Sequence, residues 1–586
     1  MKRKILWVGF SVLLIVAMVM SACSKKTTSS STTTTSTSTT TTTSTASGPI
    51  MGGTLTFLID QANQDPPSWD VHLSPNGGST SVWVEPYIEW MACGDIDKYG
   101  PRGTNQFAFN LWQYIPTPYQ TGELAQSWEL SPDGLKLTFH LKHGIMWTGN
   151  AHIGMAAREL NADDCVFSGN RAINAPALKA YFTTWCIDVV KIDNYTFAWN
   201  FKSYNADWQF FNVFGGSNAA VFAPESDKAG GADWKNAVGT GPFIFTDYIS
   251  GSSATFSRNP NYWGKTTING KEYQLPFIDK LVYPIIADQA AQLAALRTAK
   301  LDWWPRVPYN FGATLKSSSP ALIQSAYGSG DVTIFVINRL NNPDLAKLDV
   351  RRALLMGTDL ATINTNVYGQ ADLLAWPVAA GNPSYTALKD LPASTAELFS
   401  YNPTKAKQIL ADAGYPNGFK TTITINGTLP QQQDIASSLV SQWAKIGVTA
   451  EIQALDSTAM SAARNNSTFP GLLAWVISTI NPLTPASYPR NSNMSSTYAA
   501  GEPLDLESRA ALQIIDTTAL NAALKKLFND MLADVGYIPM GNAAILNCYW
   551  PWLKNYYGET EAGYHNCIPM ISRLWIDQAQ KKTLGF

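Results

Sequence analysis

The sequence predicts a chain of several domains built from both strands and helices, and three observations predict it. The first is length: of 586 residues, roughly 540 follow a low-complexity start, more than one hydrophobic core organises and enough for about three or four domains. The second is composition, 45% hydrophobic and 15% charged, which suits a folded rather than a disordered chain. The third is local periodicity. After the turn Pro132-Asp133-Gly134, the residues Leu135, Leu137, Phe139 and Leu141 alternate with polar ones, the pattern of a hairpin with one buried face. Gly52-Gly53 opens an earlier short strand over residues 54–59. Asn161-Ala162-Asp163-Asp164 reads as a helix start before Cys165, Val166 and Phe167. Pro403 is placed to start a helix that Gly414 ends.

The start of the chain is different in kind. Lys2, Arg3 and Lys4 precede an uncharged, mostly apolar run from Ile5 to Ala22, the layout of a secretory signal. Met20-Ser21-Ala22-Cys23 resembles the bacterial lipobox, in which the cysteine is acylated and the chain is cut before it. Cys23 is therefore the expected lipid attachment site, and a retained membrane helix is the competing reading. From Ser24 to Ser47, 21 of 24 positions are Ser or Thr. Nothing there can be buried to offset ordering entropy, so this stretch is expected to be a disordered tether.

Net charge is -2, which gives no electrostatic case for a nucleic-acid partner. With Cys23 lipidated, Cys93, Cys165, Cys186, Cys548 and Cys567 remain. Cys165 with Cys186 and Cys548 with Cys567 are the nearest pairs in sequence, and buried free thiols are the alternative. Enzyme signatures are missing: there is no HExxH, GxSxG, GxxxxGK[ST] or CxxC. His140 and His143, three apart on an expected strand, should face opposite ways and share no metal, and His152 reads as a surface loop residue. No cofactor and no metal is expected. Asp163-Asp164 and the Asp95/Asp97 pair are read as helix-start and loop residues. A glycoside hydrolase needs only two acids distant in sequence, so that class stays open.

A series of blocks resembles the family 5 extracellular solute-binding proteins of ATP-binding cassette importers. They are Leu124 to Trp128 with the following strand, Ala162 to Ser168, Gly239-Thr240-Gly241-Pro242-Phe243, and Arg258-Asn259-Pro260-Asn261-Tyr262-Trp263. Leu296 to Asp302, Asp349 to Leu354, Tyr401 to Ala406, Ala413-Gly414-Tyr415 and Trp443 to Val448 continue the order. The resemblance covers about residues 52 to 480.

What it implies is an α/β fold, a two-lobed periplasmic-binding-protein-like clamp of type II with an extra domain inserted in lobe I. The implied layout is a signal peptide over 1–22, a tether over 23–50, lobe I over 51–90, an inserted subdomain over 91–215, and lobe I again over 216–305. Lobe II then takes 306–534, and 535–586 return to lobe I. The implied function is a monomeric, membrane-tethered receptor that takes an oligopeptide-sized solute between its lobes and delivers it to an ABC permease and ATPase. A sensor using the same clamp differs only in its docking surface. In oligopeptide binders of the family an aspartate in the segment aligned with Ala474 to Pro482 pairs with the peptide's amino end; here Ser478 stands in its place. A buried ammonium without a counter-ion is costly, so an amino-blocked peptide or an oligosaccharide is the alternative ligand. Ligand-contact candidates are Trp475, Val476, Ser478, Asn481, Gly78, Ser79, Trp303 and Trp304, with the Tyr549-Trp550-Pro551-Trp552 cluster as further aromatic candidates. Core packing is the competing role for each tryptophan.

Overall fold

A computed structural model describes residues 48–59, 65–66, 68–73, 77–111, 113, 115–176, 178–209, 220–369, 371–372, 374–479, 481–490 and 498–586. The signal, Cys23 and all but the last residues of the tether lie outside these.

Strand pairings show how the chain is divided. β1 (Thr54–Thr56) lies parallel to β8 (Lys280–Pro284), and β7 (Ser253–Arg258) and β6 (Phe243–Ile249) complete that sheet in the order β1-β8-β7-β6. Between β1 and β6 the chain passes through α1 (Gly77–Val84) and a separate antiparallel sheet. That sheet has the order β2-β3-β5-β4, from β2 (Ala125–Leu130), β3 (Lys136–Leu141), β4 (Cys186–Lys191) and β5 (Thr196–Phe201), with α2 (Ala162–Asn174) packed beside it. A domain that interrupts a sheet in this way is an insertion.

The same reasoning applies further on. β9 (Trp303–Pro308) and β10 (Ile323–Gly328) both pair antiparallel with β16 (Asn542–Tyr549). The interval between β10 and β16 builds a second sheet in the order β13-β12-β14-β11-β15. Its strands are β11 (Asp331–Ile337), β12 (Lys420–Asn426), β13 (Thr449–Leu455), β14 (Leu472–Ser478) and β15 (Tyr537–Pro539). This is the second lobe, and the return to the first falls at Met540 and Gly541, after β15 has paired with β11. β12 is parallel to β13 and β14, while β11 is antiparallel to β14 and β15.

Helices cover the second sheet. α3 (Leu348–Met356), α4 (Leu360–Tyr368), α5 (Pro403–Asp412) and α6 (Pro430–Ala444) bury Val350, Leu354, Ile363, Leu410, Ile435 and Trp443 with Phe335, Ile423 and Ala474 of the strands. Each has a physical reason to begin or end. Asn402 caps α5 by accepting from the Lys405 amide, Pro403 fills the first turn, and Gly414 beyond its end takes φ +97°. Arg351 on α3 is almost fully buried and donates to the Leu345, Ala346 and Asp534 carbonyls and to the Asp534 carboxylate at 2.9 Å. It locks α3 to the end of α8 (Thr517–Asp534).

In the insertion, Asn161 and Asp164 form a reciprocal capping box at the start of α2. Asp164 also accepts from Arg158 and from the Trp147 ring at 3.1 Å. Gly134 takes φ +70°, and a Cβ there would meet the Tyr204 ring at 2.5 Å. The glycines of the Gly239-Thr240-Gly241 block serve close packing: a Cβ on Gly239 would stand 1.7 Å from the Tyr87 carbonyl oxygen. Cys93, Cys165, Cys186, Cys548 and Cys567 are all buried free thiols, so neither sequence-adjacent pairing forms. No helix among the described residues is long and apolar enough to cross a membrane.

Candidate ligand-binding site

The C-terminal end of β14 and the strand beside it place the candidate residues. β14 alternates faces: Leu472 and Ala474 enter the core under α3 to α6, whereas Leu473, Trp475 and Ile477 turn to the opposite side with Met460 and Ala463 of α7 (Ser457–Asn465). Trp475 and Ser478 therefore belong to opposite faces of the sheet.

Trp475 is half-buried, and the guanidinium of Arg464 lies over its ring, 3.7 Å from the centroid. Arg464 is only 8% exposed and donates to the Asn465 side chain at 3.0 and 3.2 Å. Burial pulls its pKa below the usual arginine value, with the Tyr488 phenol opposing. A desolvated cation on an indole face is a strong cation–π pair, so one face of Trp475 is already occupied.

On the other face, Ser478 stands directly across from Asp331 on β11, and Val476 from Thr333. The Ser478 hydroxyl is buried and has no hydrogen-bond partner among the described residues. Val476, next to it on that face, is 39% exposed. Asp331 accepts from Arg306 of β9 at 2.7 Å, and the Tyr368 hydroxyl lies 3.3 Å from that of Thr333. A small polar group is thus gathered where β9 leads from the first lobe toward the second.

Asn481 follows β14 and is 5% exposed. Its amide donates to Asp207 of the insertion at 3.3 Å, while its carbonyl oxygen accepts from the Leu483 amide. Beside it, the Ala206 amide donates to the Leu512 carbonyl at 3.0 Å. These contacts join the insertion to the second lobe. Burial raises Asp207 to about 7, against the pull of the Asn481 amide and the Arg490 charge.

Trp303 and Trp304 are core residues rather than ligand platforms. Trp303 is fully buried, stacks on Phe57 at 4.3 Å and 13°, and donates to the Asn547 side chain at 2.7 Å; Trp304 is 5% exposed in the same core. Trp550 and Trp552 stack on each other at 4.8 Å and donate to the Leu296 carbonyl and to Asp302. Gly78 and Ser79 stand in α1, and the structure describes no side-chain surroundings there.

His140 and His143 line one shallow recess with Asp193 and Tyr195. The expectation of opposite faces fails because β3 ends at Leu141, so the alternation stops before His143. Among the described residues no group of three His, Cys, Asp or Glu is placed to hold a metal ion.

Asp207, Asp331, Arg306 and Arg464 were not singled out by the sequence. The signal that could have found Asp331 is the pattern of β11, where a lone charge opens an otherwise apolar strand.

Comparison with known proteins follows this geometry. The model of the bacterial extracellular solute-binding proteins, family 5, matches residues 120–496. Heme-binding protein A of Haemophilus influenzae is 30% identical over 360 residues, 56% of this chain and 60% of the relative. The dipeptide-binding protein of Escherichia coli is 28% identical over 350 residues, 56% of this chain and 62% of the relative. The matched region thus spans less than two thirds of these relatives. In shape, the chain is similar to the periplasmic binding protein DppA from Helicobacter pylori in complex with peptide STSA, with a TM-score of 0.71 at 19% identity over 90% of this chain and 99% of the other. A dipeptide-binding protein from Pseudoalteromonas in complex with Met-Leu gives 0.70 at 18% identity over 90% of this chain and 100% of the other. Those likenesses establish the two-lobed fold. The chain belongs to the family 5 bacterial extracellular solute-binding proteins.

Proposed function

We propose that this protein is the solute-capturing receptor of an ABC importer, closing two lobes over an oligopeptide-sized solute and presenting it to a membrane permease. The observation that carries the reading is the contact of Asn481 with Asp207, where the second lobe meets the insertion beside the end of β14. A chain that passes into its second lobe and back through the paired strands β9 and β16 has the connection a hinge needs.

Peptides are the favoured class. Relatives are named for dipeptides, and the sugar reading loses its main support because Trp303, Trp304, Trp550 and Trp552 are enclosed. Binding proceeds without turnover. Lipidation at Cys23 and the Ser/Thr tether would keep the receptor on the extracytoplasmic face of the membrane, since two or three acyl chains anchor a protein stably and one does not.

Thermal unfolding of the purified protein against panels of oligopeptides and oligosaccharides tests the ligand class. A ligand at a hundred times its Kd adds about 2.7 kcal/mol. Stabilisation by peptides, recovered intact, is expected; stabilisation by sugars alone overturns the peptide reading, and cleavage of the bound solute overturns the receptor reading.

A further inference from the structure

We propose that a cavity between the hairpin Lys265–Gln274 and the segment around Asn555 and Tyr557 is a second ligand site, and that it takes a small neutral saccharide. The inference goes beyond solute capture between the lobes and does not depend on it, since no residue lining this cavity belongs to the second lobe.

Local structure builds the walls. Lys265–Ile268 and Lys271–Gln274 pair antiparallel, and Asn269-Gly270 turns between them with φ +52° and +77°. An Asn-Gly turn with both φ positive has the twist of the strands it joins, so the hairpin is a stiff wall. On the opposite side, Asn555 donates to the Arg573 carbonyl at 2.9 Å and the Tyr557 amide donates to Glu559 at 3.1 Å. The cavity between them has a volume of about 510 Å³, within the range of small-molecule sites.

The floor supplies a donor beside an acceptor. The Arg102 side chain is 6% exposed, and its Nε and Nη2 both donate to the fully buried Glu559. Its remaining nitrogen, Nη1, stands 3.9 Å from Asp97, too far for a hydrogen bond. Asp97 is half-exposed and is held by the Arg573 guanidinium at 2.7 and 3.0 Å. A carboxylate has about four lone-pair sites, so Asp97 can accept further while Nη1 donates. Two adjacent hydroxyls on a ligand match that arrangement.

Charge and shape narrow the class. Three cations meet here, Arg102, Arg573 and Lys265, and three carboxylates, Asp97, Glu559 and Glu272; Lys265 and Glu272 pair with each other at 2.8 Å. The balance gives an ionic ligand no net attraction. Tyr557 is 52% exposed, with the Arg102 guanidinium 5.5 Å from its ring centroid. An aromatic ring left this open among polar groups suits a ligand with one C–H face and polar edges. Thr267 and Asn269 add an exposed hydroxyl and amide to the rim. A sugar ring has that form: a C–H face, a ring of hydroxyls and no charge.

The test titrates the purified full chain by saturation-transfer NMR with glucose, maltose, lactose and N-acetylglucosamine, using glucosamine and glucuronate as charged counterparts of glucose. Transfer to at least one neutral sugar is expected, with weaker binding of both charged ones. Tyr557→Ala should weaken the best sugar about tenfold, the scale of one aromatic contact. Asn269→Gly, which keeps the turn's positive φ, should weaken it about threefold to tenfold, as for one neutral hydrogen bond. Peptide binding by both variants should match that of the native protein. If Tyr557→Ala fails to fold, Asn269→Gly carries the test alone. Absence of transfer to every neutral sugar, preference for a charged one, or sugar binding that both variants leave unchanged overturns this site and leaves peptide capture standing. Sugar binding that Trp475→Ala abolishes and Tyr557→Ala does not would lie between the lobes, and would overturn this site on its own.

Discussion

Trp303 and Trp475 are both tryptophans on strands, and they do opposite things. Trp303 has spent every interaction it can make: Phe57 stacks on its ring, Tyr556 packs 5.0 Å away, and its N–H donates to Asn547. Trp475 is half-open, and its covered face rests on Arg464, which bonds to no carboxylate among the described residues. Trp303 has its ring and its N–H satisfied within the first lobe. At the end of the second sheet the Trp475 ring is half-open and the buried Ser478 hydroxyl has no partner among the described residues, so a ligand there has something to gain.

The largest effect should separate the two rings. Trp303→Ala removes a fully buried indole and leaves the Asn547 carbonyl without its donor, costing about 3 to 5 kcal/mol, while any ligand bound by the surviving folded fraction keeps its affinity. Trp475→Ala should lower stability by about 1 kcal/mol, the scale of a desolvated cation–π pair, and weaken ligand binding. Chemical unfolding paired with titration reads both; equal stability losses would dissolve the contrast.

The second effect concerns acids buried on the side of the first lobe and its insertion. Burial raises Glu85 to about 8 and Glu89 to about 7, although the Cys567 amide and thiol donate to Glu85 and the Trp263 ring donates to Glu89. Glu123, beside Glu89, is also raised by burial. An acid whose folded pKa lies above its unfolded value holds more protons when folded. Its stabilising contribution is then full below about pH 4.5 and is lost as pH climbs through 7 to 8, at about 1.4 kcal/mol per pH unit for each titrating group. The melting temperature should accordingly fall from pH 5 to pH 8, and Glu85→Gln should flatten that fall. A melting temperature that rises over this range would contradict the burial of these carboxyls.

How much of this the sequence disclosed depends on how local the signal was. Asn161 with Asp164, Pro403 with Gly414, and the alternation of Leu137, Phe139 and Leu141 are local signals, and each element formed where they pointed. The family blocks carried the fold class because they follow one another in order over about residues 52 to 480. What stayed hidden is pairing at a distance. Nothing near Asp331 in sequence says that it will face Ser478, which lies on a strand reached only after helices α3 to α7. Trp303 and Trp475 looked alike for the same reason: the partners that enclose one and leave the other half-open, Phe57 and Arg464, arrive from elsewhere in the chain.

A smaller effect tests the contact between the insertion and the second lobe. Asn481→Ala removes the donor to Asp207 and the cap on Leu483. Leaving a buried group without its partner costs about 1 to 3 kcal/mol, and part of that loss should vanish below pH 5, where Asp207, raised to about 7 by burial, is protonated with or without its neighbour. A loss of the same size at pH 5 and pH 8 would assign the whole effect to the Leu483 cap.

The smallest effect is the most discriminating. Ser478→Ala deletes a buried hydroxyl that has no partner among the described residues, so the empty protein is expected to give up no hydrogen bond and to shed a desolvated polar atom; its stability should be unchanged or higher by up to about 1 kcal/mol. The same substitution should weaken a ligand that uses the hydroxyl, by about fivefold to tenfold for a neutral hydrogen bond. Trp303 cannot show such a split, because there stability and packing are one quantity. A Ser478→Ala protein that is both less stable when empty and unchanged in binding would mean that the hydroxyl serves the fold, and the unsatisfied end of the sheet would no longer mark where a ligand docks.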